Sequence, residues 1–130
     1  MTINRLPQGE LLVRLMAMPA QTNGSGEIFG GWILSQMDIG GATMAIRYAQ
    51  SKVVTVAIDK MSFLYPVHVG DIVTCYGTLH RIGNTSITIS IETWVLRPTE
   101  NEGHCVTQGL FTYVAINDDG KPVSVNRSAS

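Results

Sequence analysis

The sequence predicts an α+β domain in which an antiparallel sheet curls around one central helix. Three observations carry that prediction. The chain has 130 residues, enough for a single domain with one core of its own. Within 28–50, from Trp32 onward, one segment suits a helix, and its apolar residues run nearly all the way round. Everything after it reads as extended strands with short connections, which pair antiparallel. A helix apolar all round must be enclosed, and wrapping the sheet around it is the economical solution.

The elements follow in order. Leu11 to Met18 is a short apolar segment closed by Pro19, and a polar, small-residue stretch, Gln21 to Gly26, comes next. The helix carries Trp32, Ile33, Leu34, Met37, Ile39, Ala42, Met44, Ala45 and Ile46, with the Gly30-Gly31 pair at its start. A strand from Val53 to Tyr65 ends at Pro66, and a second, Asp71 to Arg81, follows Gly70. From Thr85 to Arg97 the alternation is clean: Ile87, Ile89, Ile91, Thr93 and Val95 take one face, while Ser86, Thr88, Ser90, Glu92 and Trp94 take the other. The last strand, His104 to Ile116, is closed by the turn Asn117-Asp118-Asp119-Gly120. Residues 1–130 therefore form one domain, with a flexible tail expected from about Lys121 to Ser130.

Composition narrows the function classes. Nine Lys+Arg against ten Asp+Glu leave a net charge of −1, with no basic surplus for nucleic acid. Only 15% of residues are charged, against ~25% in ordinary soluble domains. A surface so poor in charge points to a homo-oligomer. The N-terminal stretch does not read as a secretory signal, and no run of ~20 apolar residues offers a membrane span. Cys75 and Cys105 belong to no CxxC pair and sit in strand-like runs, as buried free thiols do. These features place the protein in the cytoplasm. His68, His80 and His104 share no metal-ligand spacing, so neither a metal site nor a cofactor is expected.

The chemistry centres on the helix. Asp38 is flanked by apolar residues, and an ionised carboxylate out of water costs several kcal/mol unless it is paired or hydrogen-bonded. Gly40 and Gly41 follow it, where another backbone or a ligand must come close. At the helix start, Gly30 and Gly31 leave N–H groups at the positive end of the helix dipole, suited to an oxyanion on a carbonyl substrate. From Gly31 to Asp38 is two turns, an axial rise of roughly 10 Å. Structural readings stand beside these. Ser35 with Asp38 resembles a capping box, the glycine pair could be a turn, and Asn23 fits a turn residue. No serine-type triad can be assembled.

From Thr22-Asn23 through Glu27-Ile28-Phe29-Gly30-Gly31-Trp32 to Met37-Asp38-Ile39-Gly40-Gly41-Ala42, the sequence closely resembles the hotdog-fold acyl-CoA thioesterases, in particular bacterial short acyl-CoA hydrolases akin to the brain-type enzymes. The likeness continues through Val53 to Asp59, Met61-Ser62-Phe63, Val69 to Val73 and Phe111 to Ala115, roughly residues 10 to 120. It implies a hydrolase releasing CoA and a carboxylic acid without a serine nucleophile. It further implies that Asp38 is the catalytic carboxylate, that Asn23 assists it, and that Gly30 and Gly31 polarise the thioester carbonyl. Asn23 and Asp38 of one site would come from different subunits of a homodimer, with dimers assembling into hexamers. The substrate's pantetheine arm would lie along Thr55, Ala57 and Ser62, and its nucleotide near Gly83, Asn84, Thr85 and Ser86.

Three positions depart from the family: Asn84 where a basic residue is usual, Ser25 for Asn, and Glu27 for Asp. Arg81, Arg97 and Arg127 are then the remaining basic candidates for nucleotide contacts. The rival readings are a dehydratase of hydroxyacyl thioesters, which generally wants a histidine at the site, and a non-catalytic acyl-CoA-binding module. A purely structural subunit would leave Asp38 unexplained.

Overall fold

A computed structural model describes residues 5–125. Its elements are β1 (Glu10–Met16), a short 3-10 turn (Pro19–Gln21), α1 (Gly30–Ala49), β2 (Lys52–Phe63), β3 (Ile72–Ile82), β4 (Ser86–Leu96) and β5 (His104–Ile116). The five strands form one antiparallel sheet in the order β1-β3-β4-β5-β2. The helix and strands fall where the periodicity put them. The pairing of neighbours does not always follow chain order, because β2 leaves β3 and joins β5 at the far edge of the sheet.

The alternation in β4 decides which face is inside. Ile87, Ile89, Ile91, Thr93 and Val95 are all essentially inaccessible and pack with Val73, Cys75, Phe111, Tyr113 and Ala115 beneath α1. The opposite face is not simply solvated. Glu92 and Trp94 are buried there, because the segment before β1 folds over them. Arg5 donates to Glu92 Oε1 at 3.1 Å and Oε2 at 2.5 Å, Trp94 Nε1 donates to Oε1 at 2.9 Å, and Arg5 lies 5.5 Å over the Trp94 ring.

The helix is enclosed on one side only, which corrects the expectation of a helix wrapped all round. Ile33, Met37, Gly40, Gly41, Met44, Ala45 and Ala49 are buried against the sheet, at the spacing of one helical face. Ile39 and Ile46 stay 58% and 45% exposed. One five-stranded sheet covers one face of a helix and leaves the other apolar face open; Val54, Val56, Ile58 and Phe63 of the edge strand β2 are also exposed.

The tail expectation also needs correction. Over 121–125 the chain is fastened: Pro122 bridges Ile116, the Val123 N–H donates to Ala115 O, and the Val125 N–H donates to Asn84 O, each at 2.9 Å where a bond is formed. Val125 is buried, so an apolar side chain seated on the sheet end offsets the entropy of ordering this segment. Residues 126–130, Arg127 among them, lie outside the described residues. Cys75 and Cys105 are free and buried; burial pushes both thiols up, Cys105 to about 11.

Candidate active site

Helix α1 begins at Gly30, with Phe29 at the N-cap and no side-chain cap. Ser35 therefore lies within the helix and donates to Trp32 O at 2.8 Å, so it caps nothing and Asp38 is interior to the helix. Trp32 and Ile33 N–H groups close onto Phe29 O. Among the described residues the Gly30 and Gly31 N–H groups meet no acceptor. The two glycines differ in what a side chain would meet. A Cβ on Gly30 would lie 3.3 Å from the Phe63 ring, whereas one on Gly31 would meet nothing within 4 Å.

Asp38 is half-buried. Thr55 Oγ1 donates to its Oδ1 at 2.6 Å, and Tyr113 Oη donates to its backbone carbonyl at 2.8 Å. Thr55 and Tyr113 are cross-strand partners on β2 and β5, so one sheet position grips both ends of the aspartate. A register shift between Thr55 and Ala57 interrupts the ladder beside this contact, and bulges of that kind re-aim side chains at sites. Burial, then the Asp38 charge, pushes the Tyr113 phenol far above its ordinary value, so it acts as a donor throughout the working pH range. Of the two readings of the adjacent glycines, a neighbouring element or a ligand coming close, the first holds here. A Cβ on Gly40 would come within 3.0 Å of Leu12 and Val13 of β1, and one on Gly41 within 2.6 Å of Ile91 and into the Tyr113 hydroxyl.

Asn23 stands in a compact turn before the helix. Its N–H donates to Glu27 O at 2.7 Å, and its Oδ1 accepts from Ser25 N at 2.8 Å and Glu27 N at 3.3 Å. With Gly30, Phe63 and Tyr65 it lines a cavity of about 450 Å³. Asp38 is not part of that lining. A single chain thus brings Asn23 to Gly30, brings Asp38 to Thr55, and does not unite the two pairs. Thr55 lies near the start of β2 and Phe63 is its last residue, so the two half-sites sit at opposite ends of the edge strand.

The remaining predicted positions scatter along the sheet. Ala57 is half-buried on β2, and the Ser62 carbonyl accepts from Thr107 Oγ1. In the β3–β4 turn the Gly83 N–H donates to Ser86 O at 2.8 Å, and Thr85 O accepts from Ala115 N at 2.9 Å. Asn84 is engaged by the C-terminal segment, its Oδ1 accepting from Ser124 Oγ at 3.4 Å. Arg97, a candidate nucleotide contact, is committed elsewhere: its Nε donates to Asp71 and its Nη2 to Pro66 O. A larger cavity of about 670 Å³ opens on the outer face of the sheet, around Arg5, Arg14, Tyr76 and Trp94, and contains none of the predicted site residues. Sequence patterning gave no signal for Thr55 and Tyr113 as partners of Asp38, since neither lies within a helical turn of it.

Comparison with known proteins agrees with this architecture. The thioesterase superfamily profile matches residues 25–101. The chain is 51% identical over 124 residues to the acyl-CoA thioester hydrolase YciA of Salmonella typhimurium, covering 93% of each protein. Among solved structures, the hexameric thioesterase y2039 from Yersinia pestis superposes with a TM-score of 0.88 at 53% identity, over 93% of this chain and 98% of that one. The hexameric hotdog-fold thioesterase Cj0915 of Campylobacter jejuni gives 0.87 at 40% identity, over 93% of each. No helix among the described residues is long and apolar enough to cross a membrane. By profile, by sequence and by superposition, the chain belongs to the thioesterase superfamily and has its hotdog fold.

Proposed function

We infer that this chain is an acyl-CoA thioester hydrolase acting as a homo-oligomer, with Asp38 as the reactive carboxylate. One observation carries the reading: an aspartate in the middle of an apolar helix, held by Thr55 at 2.6 Å on a half-exposed surface with no cation paired to it among the described residues. A carboxylate held in place by a hydrogen bond and paired with no cation suits a base or nucleophile.

The two separated half-sites support a shared active site. Helix α1 leaves one apolar face open, and β2 is an unpaired sheet edge rich in exposed apolar residues. Such an edge is a template for pairing with a second copy. Antiparallel pairing about a two-fold axis reverses the strand, so the Thr55–Asp38 end of one protomer meets the partner's Asn23–Gly30 end. Three such dimers make the hexamer, the assembly stated for y2039 and Cj0915.

In the proposed reaction the thioester carbonyl oxygen accepts a hydrogen bond from the Gly31 N–H, with Gly30 beside it, at the positive helix end. Asp38 takes a proton from water as the water oxygen bonds to the carbonyl carbon; alternatively the carboxylate adds first, and water then cleaves the mixed anhydride. The tetrahedral oxyanion collapses, the C–S bond breaks, and the thiolate leaves as CoA after taking up a proton. Asn23 orients the water or the carboxylate. The pantetheine arm runs along Thr55, Ala57 and Ser62 toward Gly83–Ser86. Water is the only co-reactant, so no resident cofactor or metal is assigned. The free buried thiols of Cys75 and Cys105 support a reducing, cytoplasmic setting.

The test is thiol release from acetyl-, butyryl- and palmitoyl-CoA. Asp38→Asn keeps the shape and removes the charge, and should lower kcat by roughly 10²–10⁴-fold with the fold intact. Full activity in that variant would end the assignment of Asp38.

A further inference from the structure

The strongest unassigned feature is the cluster behind the Asn23 cavity. Arg97, just past the end of β4, is only 19% exposed and grips one short segment at several points. Its Nε donates to both oxygens of Asp71 at 3.2 and 3.3 Å, its Nη2 donates to Pro66 O at 2.9 Å and meets His68 Nδ1 at 2.9 Å, and its guanidinium lies 5.1 Å over the Tyr65 ring. Asp71 in turn accepts the His68 backbone N–H at 2.9 Å. The gripped segment is a wall of the cavity that Asn23 and Gly30 line.

That wall is tied directly to the turn bearing Asn23. Val67 O accepts the Ile28 N–H at 2.8 Å, and Glu27 bridges His68 through the backbone. A guanidinium has no lone pair and can only donate, so His68 Nδ1 is the acceptor and the neutral ring carries its proton on Nε2. Nε2 lies 3.9 Å from the Glu27 carboxylate, beyond hydrogen-bond reach, so the ring acts through Arg97. Glu27 in turn holds Asn23 through its own N–H and C=O.

We propose that Arg97 and His68 are positioning residues for the Asn23 half-site, holding the segment 65–71 whose backbone is tied to Glu27 and Ile28. They fix the separation between Asn23 and the open helix start. In this reading neither touches the substrate. This rests on the hydrolase reading above.

The discriminating experiment measures kcat and KM by thiol release, with thermal unfolding alongside, for wild type, His68→Ala, His68→Gln, Arg97→Ala and the Arg97→Ala/His68→Ala double variant. The substrate is whichever of acetyl-, butyryl- and palmitoyl-CoA the wild type cleaves fastest. Misplacing a reacting group by about 1 Å costs on the order of 10²-fold. His68→Ala should therefore lose roughly 10- to 100-fold in kcat with KM changed less than about threefold. The double variant should lose little beyond Arg97→Ala alone, since contacting residues in one chain of interactions are not additive. His68→Gln, whose amide oxygen can still accept from Arg97, should recover part of the rate. His68→Ala with wild-type kcat overturns the inference, and so does a raised KM at constant kcat or a loss confined to Tm. His68 is half-exposed, so its variants decide the matter even if Arg97→Ala does not fold. Absence of thiol release by wild type sinks the hydrolase reading and this inference with it; release that His68→Ala leaves untouched sinks this inference alone.

Discussion

Gly31→Ala should make the protein more stable and nearly inactive. A Cβ at Gly31 meets no atom within 4 Å, and the residue already has helical conformation. Replacing Gly by Ala in a helix is worth up to about 1 kcal/mol. At roughly 2.1 cal/mol/K per residue, 130 residues unfold with about 0.27 kcal/mol/K, so that gain raises Tm by up to roughly 4 °C. The added methyl would stand beside the N–H assigned to the thioester carbonyl and crowd the substrate there. Disabling an oxyanion donor costs on the order of 10²–10³ in kcat. Gly41→Ala is the internal control. There the methyl would collide with Ile91 and the Tyr113 hydroxyl, an overpacking cost of about 1–3 kcal/mol against the same helical gain, so Tm should fall. Thermal unfolding and thiol release on the two purified variants give opposite signs of ΔTm if the reasoning holds. A Gly31→Ala protein with wild-type kcat, or with a lowered Tm, would refute it.

Three further outcomes are expected. Tyr113→Phe removes the hydrogen bond to the Asp38 carbonyl; it should cost about 0.5–1.5 kcal/mol in denaturant unfolding and lower kcat more than it changes KM. Burial pushes the Glu92 carboxyl up, but hydrogen bonds from Arg5, Trp94 and the Gln8 N–H together with the Arg5 charge outweigh it and leave it below its ordinary 4.5. A carboxyl depressed on folding contributes stability above its unfolded value and loses it as pH falls through the folded one. Glu92→Gln should thus be less stable than wild type by about 1.5–3 kcal/mol at neutral pH, with the gap closing below pH 4.5 when unfolding is followed against pH. Val56→Lys, on the exposed edge strand, should shift the species seen by analytical ultracentrifugation toward smaller assemblies and lower activity together.

Local patterning made α1 and all five strands readable, because an all-apolar helix and the two-residue alternation of β4 are properties of contiguous sequence. Strand order was not readable: nothing in Lys52–Phe63 distinguishes Phe111 from a β3 residue as its neighbour, and the choice of β5 depends on how the segment 64–71 crosses the sheet. The cover over the outer face of β4 was not readable, because the residue that packs on Glu92 and Trp94 is Arg5, distant in the chain. Asp38, Asn23 and the glycine pair stood out by residue type in an unlikely setting. Their separation within one chain was implied only by the family resemblance and not by residue patterning, since it follows from which side chains of β2 and β5 reach the helix. Gly40 and Gly41 read as a place where another backbone or a ligand comes close; only the positions of Leu12, Ile91 and Tyr113 decide for neighbouring strands.

If the site is shared as proposed, the placement of Asp38 with Thr55 at one end of β2, and of Asn23 with Gly30 at the other, would make inactivation recessive in a particular way. Co-expressed Asp38→Ala and Asn23→Ala chains that pair at random would give hybrids in which one pocket collects both lesions and its twin collects neither. About a quarter of all pockets would then be whole, so two inert proteins mixed in the cell would restore turnover that neither has when purified alone.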